Sequence, residues 1–142
     1  MYKKYFLSLL LFFTICCFGY IGFIFSEIKS IGSSVQWGSL KVLLFQKAPD
    51  RVWVSTLYKE MLAVKSQKES NRIDFYYSVI ILGRDAFIND AEAEAILYEY
   101  IDQDDKKLLA SRLKKFKNMS KFKELDSESK RVVDRRINFL EN

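Results

Sequence analysis

Hydrophobic positions fall along this chain in two different ways. Residues 5–25, YFLSLLLFFTICCFGYIGFIF, form an unbroken uncharged run of 21 residues. Beyond them, apolar residues recur every three or four positions among charged ones, the period of amphipathic helices. At about 1.5 Å per residue the uncharged run, as a helix, matches the roughly 30 Å of a bilayer's hydrocarbon core. A transmembrane signal anchor over 5–25 is therefore expected. A cleavable signal peptide fits less well, because its apolar core is usually about 7–15 residues and ends at a small-x-small site. Here the best such site, Cys17-Phe18-Gly19, lies inside the run. A lipoprotein fits less well again, since Ile15 stands where a small residue should precede Cys16.

The later pattern predicts an all-α domain of five or six helices. Residues 1–4 read as a cytoplasmic N-terminus, 26–39 as a linker and 40–142 as the domain. In residues 35–45, Trp37, Leu40, Val42, Leu43, Leu44 and Phe45 suggest a short helix capped by Ser39, with core packing favoured over lying on a membrane surface. Pro49 suits the first turn of the next helix, in which Trp53, Leu57, Met61 and Val64 share one face. Residues 73–82 fit either a strand (Ile73, Phe75, Tyr77, Val79, Ile81) or a helix, with Asn71 as cap and Gly83 as stop. A helix buried on most sides is expected, because a lone strand would have no partner to pair with.

Asn89 followed by Glu92 has the form of a capping box, ahead of a stripe of Ala93, Ile96, Leu97, Tyr100 and Ile101. Asp104 and Asp105 open a helix carrying Leu108, Leu109, Leu113 and Phe116. The last helix is expected from Ser127, with Val133, Ile137 and Leu140 inward and Lys130, Arg131, Arg135 and Arg136 mostly outward.

Charge sharpens this picture. The net +5 conceals three blocks: nine basic and five acidic groups in 26–84, eight acidic and no basic in 85–105, and twelve basic and five acidic in 106–142. Either the last two blocks neutralise each other, or one faces a partner of opposite sign and steers its approach. The candidate partner-binding residues are Asp90, Glu92 and Glu94 on the acidic side, and Lys114, Lys115 and Lys117 on the basic side. Lys3 and Lys4 precede the anchor, while Glu27 and Lys29 nearly cancel after it. The positive-inside tendency then leaves the N-terminus in the cytoplasm and the domain outside.

Candidate chemistry is sparse. The chain has no histidine, and its two cysteines both lie in the anchor, so Ser–His and Cys–His dyads and thiolate metal sites cannot be built in the domain. No Gly-rich phosphate loop is present, and the acidic residues lack calcium-loop spacing. The basic stretch with Phe116 and Phe122 resembles a stacking platform for nucleic acid, but an amphipathic helix accounts for it, and a domain outside the cytoplasm has no such partner at hand. Asn118-Met119-Ser120 matches a glycosylation sequon that matters only in a eukaryotic secretory route.

The expectation is a non-enzymatic protein-binding module, without metal or cofactor, at the extracytoplasmic face of a bacterial inner membrane. Its partners would be the bilayer, through residues 5–25, and another, charged protein. An immunity protein against a toxin and a subunit of an envelope complex both answer that description. The alternative is a ligand- or lipid-sensing domain with an aromatic pocket around Trp53, Tyr76, Tyr77 and Tyr98.

Overall fold

A computed structural model describes residues 2–142, apart from the side chains of Tyr2 and Asn89. Met1, within the segment expected to be cytoplasmic, lies outside the described residues. The protein is all-helical, with no strand among the described residues. Its helices are α1 (Tyr2–Ser30), α2 (Trp37–Leu44), α3 (Asp50–Val64), α4 (Glu69–Leu82), α5 (Arg84–Asn89), α6 (Ala91–Glu99), α7 (Gln103–Phe116), α8 (Ser120–Lys123) and α9 (Ser127–Glu141). Among the described residues eight helices follow α1, against the five or six expected; α5 and α8, of six and four residues, are too short for sequence periodicity to register.

The ambiguous stretch 73–82 is helical and forms the centre of the domain. In α4, Ile73 and every residue from Phe75 to Ile81 are buried, as expected of a helix that is apolar all round. α7, α2, α5, α1 and α3 pack around it, α6 lies against α3, and α9 lies against α7. Aromatic rings lock these layers together: Trp53 on Phe87 at 5.5 Å, Tyr77 on Phe116 at 6.1 Å and Phe116 on Phe122 at 5.7 Å. Such edge and tilted contacts each add about 0.5–1.5 kcal/mol beyond burial.

Several caps differ from the sequence reading. α6 is capped by Asp90, whose Oδ1 accepts from the Ala93 N–H at 2.9 Å, because α5 takes up Asn89 as its own last residue. α4 begins at Glu69, ahead of Asn71, and α2 begins at Trp37, where the Ser39 hydroxyl donates back to the Gln36 carbonyl at 2.9 Å. Gly83 stops α4 at a negative φ; a Cβ there would lie 2.7 Å from the Val79 carbonyl oxygen, which is why a glycine joins α4 to α5.

Arg136 is the largest departure. It was expected outward but is only 1% exposed. The buried stripe of α9 is Val132, Val133, Arg136, Ile137 and Leu140, and Arg136 falls inside it by spacing. Its charge alone had argued for solvent.

α1 is long and apolar enough to span a membrane. It continues beyond the apolar run to Ser30, and Ile24, Ile28 and Ile31 on one side of it are buried against the domain. Gly32, at φ +75°, ends it in the left-handed conformation that suits glycine. The Gly32 N–H donates to the Lys29 carbonyl and the Ser33 N–H to the Ile28 carbonyl, at 2.9 and 3.2 Å, closing a Schellman motif. The small-polar stretch that follows is tied down: the Tyr77 hydroxyl donates to the Ile31 carbonyl at 2.8 Å, Arg112 to the Gly32 carbonyl at 3.0 Å, and the Ser33 hydroxyl to the Asp74 carbonyl at 3.1 Å.

Candidate partner-binding groove

α3 and α6 lie side by side, and their outer edges leave an open groove of about 680 Å³. Its apolar floor includes Val54 and Ile96. Four carboxylates line it, from Asp50, Asp90, Glu92 and Glu99, against the single guanidinium of Arg51. Local structure explains two of them: Asp50 and Glu92 sit in the first turns of α3 and α6, where acidic groups favour the helix dipole. Among the described residues Asp50, Glu92 and Glu99 form no ion pair. Asp90 spends one oxygen on its cap, and Oδ2 is buried without a partner among the described residues.

At the other end, Tyr58 and Tyr100 meet edge to face at 5.5 Å. A hydrogen bond with Tyr58 pushes the Tyr100 phenol above its ordinary pKa. The Lys65 ammonium already sits over the Tyr100 ring at 5.4 Å. An acidic groove ending in tyrosine faces suits lysine and arginine side chains, by charge and by cation–π attraction.

The sequence-derived candidates separate. Asp90 and Glu92 line this groove, whereas Glu94 faces a second one between α6 and α9. Lys114 pairs with Glu141 and Lys117 with Asp134 (2.7 Å), and Lys115 is exposed without an ion pair among the described residues. Four of the twelve basic residues of 106–142, these two lysines among them, thus form ion pairs within the domain among the described residues. The other two pairs run to Asp74 from Arg112 and to Glu27 from Lys121. In the acidic block, Asp85, Asp102 and Asp105 are met by Arg84, Lys65 and Arg72, all from the earlier block rather than from 106–142. Asp50, Tyr58, Glu99 and Tyr100 were not singled out from sequence. Their charge and aromaticity were visible, but the pairing of α3 with α6 that assembles them was not.

The second groove, about 740 Å³, is lined by Ala91, Ala95, Tyr98 and Phe139, with Glu94, Lys106 and Arg135 also on its wall. Tyr98 and Phe139 stack at 4.1 Å, and burial pushes the Tyr98 phenol up to about 12. Of the four aromatics expected to form a pocket, Trp53, Tyr76 and Tyr77 are packed into the core, and Tyr98 alone lines a groove. No set of three His, Cys, Asp or Glu side chains among the described residues converges on a metal-sized site.

No protein-family model, curated protein sequence or solved structure matches this chain.

Proposed function

We propose that this protein is a single-pass membrane protein whose helical domain binds a basic segment of another protein in the α3–α6 groove. The observation that carries this reading is the cluster of four carboxylates against the single Arg51 guanidinium, beside the edge-to-face pair of Tyr58 and Tyr100. Carboxylates without an ion pair among the described residues also occur elsewhere, at Glu69, Asp104 and Glu128, but here four carboxylates line one concave surface against a single guanidinium. The role is non-enzymatic, and both an immunity protein facing a basic toxin and an envelope-complex subunit are forms of it. The alternative, capture of a small apolar ligand, is supported by the alanine- and aromatic-lined α6–α9 groove.

The groove is tested with a synthetic lysine-rich helical peptide titrated into the detergent-solubilised full chain. Binding should weaken steeply with salt, since the contact is electrostatic. Combining Asp50→Lys, Glu92→Lys and Glu99→Lys should reduce affinity by about tenfold or more, each close charge contact being worth on the order of 1 kcal/mol. The same charge change at Glu69, Asp104 and Glu128, all exposed elsewhere, should cost far less. Equal losses from the two triple variants would show that net charge, and not this groove, governs binding.

For the anchor, the reading places residues 5–25 in the bilayer, the N-terminus in the cytoplasm and the domain outside. A reporter active only outside the cytoplasm, fused after Asn142, should give signal. Lys3→Glu with Lys4→Glu should scramble it, because these lysines supply the orienting charge. Signal confined to cytoplasmic reporters would reverse the topology.

A further inference from the structure

The domain hangs on α1 without slack, and this fixes how it stands over a membrane. Along α1, residues 3–20 and Gly22 and Phe23 are exposed, and Ile24 is the first buried residue. That exposed length, about 30 Å at 1.5 Å per residue, is the thickness of the hydrocarbon core. Burial by the domain therefore starts where the hydrocarbon ends. The helix does not break there but runs on to Ser30, and the turn after it is pinned by Tyr77 and Arg112.

α2 folds back along α1. Its Leu40 and Leu43 cluster with Ile24 and Ile28, with Val35, Leu44 and Leu82 around them. Since α2 starts just beyond the end of α1, its C-terminal end points back toward the apolar span. This brings the α2–α3 turn, with Phe45 and Lys47, toward the level at which α1 leaves the hydrocarbon. Phe45 is 44% exposed, Lys47 is exposed, and on α1 the exposed Phe25 carries the Lys29 ammonium 4.8 Å over its ring. Aromatic rings with lysines beside them favour the headgroup zone, where the ring enters the acyl boundary and the ammonium meets phosphate.

Resting on the anchored reading above, we infer that Phe25, Lys29, Phe45 and Lys47 form a seat on the bilayer. The occupant is the anionic headgroup layer of the leaflet from which α1 emerges. Continuity with the anchor selects lipid over a protein partner: the patch is carried to the bilayer surface by a helix with no hinge. The domain thus keeps one orientation over the membrane, and its α3–α6 groove, which begins at Asp50 just after this turn, opens close to the surface.

The test uses the full chain with Cys16→Ser and Cys17→Ser, reconstituted in vesicles of phosphatidylcholine with and without phosphatidylglycerol. Single cysteines at Phe45→Cys, Lys47→Cys, Phe12→Cys and Lys107→Cys carry an environment-sensitive fluorophore, with spin-labelled lipids as quenchers. Labels at 45 and 47 should show blue-shifted emission and quenching by shallow-labelled lipid, stronger with phosphatidylglycerol and weakened by Lys29→Glu. The label at 12 should be quenched by deep-labelled lipid and that at 107 by neither. Quenching at 12 with water-like emission at both 45 and 47 overturns the seat while leaving the anchor intact. Water-like emission at 12 as well overturns the anchored reading and the seat with it.

Discussion

Replacing Arg136 with methionine should make the protein more stable, by about 1–4 kcal/mol, the range seen when buried ionic groups give way to well-packed apolar ones. Arg136 is 1% exposed, and Nε and both terminal nitrogens are buried with no hydrogen-bond partner among the described residues. Its guanidinium lies 5.1 Å from the centre of the Phe87 ring. That cation–π contact, desolvated, returns about 2 kcal/mol or somewhat more, whereas an unpaired buried ion costs several. Burial pulls its pKa down, with Tyr98 and then Glu94 acting in the opposite sense.

The sign of the pH effect follows. A cation whose folded pKa is depressed is a cost at every pH where it is charged, relieved only as pH rises through the lowered value. Arginine stays charged at ordinary pH, so the gain from Arg136→Met should be flat from mildly acidic to mildly alkaline buffer. Methionine follows the arginine's stem but is three heavy atoms smaller, so the gain is what remains after the small cavity left at the guanidinium's place. Thermal melts of the two proteins in one detergent decide the matter. A lower melting temperature for Arg136→Met, rescued by lysine, would mean that the charge at 136 is used.

Asp105→Ala should have the opposite effect, costing about 1–3 kcal/mol, as losing charge-assisted hydrogen bonds does when the surviving partner, Arg72, stays in contact with water. Asp105 is 2% exposed and takes both forks of Arg72, Nε–Oδ2 at 2.8 Å and Nη2–Oδ1 at 3.0 Å. Arg72 also donates to the Gln67 carbonyl at 2.8 Å, so this one pair joins the start of α7 to α4 and to the loop before α4. Hydrogen bonding of its guanidinium to the Asp105 carboxylate is the main cause that pushes the Arg72 pKa up. Arg72→Leu in the same protein should recover part of the loss, because it removes the charge left without its partner. Glu141→Ala, which breaks a half-exposed pair with Lys114, should cost about 0–1 kcal/mol. Denaturant unfolding of the three variants gives the comparison; equal losses for Asp105→Ala and Glu141→Ala would contradict it.

What could be read from sequence divides along physical lines. The apolar stripe Trp53, Leu57, Met61 and Val64 was legible, and all four are buried, because a 3.6-residue period reports one helix face directly. Segment 73–82 was resolved as helix by the absence of a pairing strand, and its all-round burial matches its all-round apolarity. Arg136 was misplaced because side-chain chemistry was weighed above its position in the stripe. In the groove, Asp90 and Glu92 were legible as part of an acidic block, but Glu94, two residues on, points to another groove. Successive residues on a helix turn by about 100°, so a charge block in sequence is scattered around the axis in space. Whether the lysines at 114 and 117 were neutralised within the domain or faced a partner was open in the sequence; α9 brings Glu141 and Asp134 to them.

The most direct measurement is site-specific photo-crosslinking in intact cells, with a photoreactive residue at Ser55 in the α3–α6 groove and, separately, at Ser111 on α7. Both positions are exposed, so insertion leaves the core untouched. The Ser55 probe should join the chain to a lysine- and arginine-rich protein segment that mass spectrometry identifies. That adduct should disappear with Asp50→Lys, Glu92→Lys and Glu99→Lys combined, and persist with Lys114→Glu and Lys117→Glu. An acidic or neutral segment at Ser55, or an adduct that survives reversal of the groove's charge, would contradict this role for the groove.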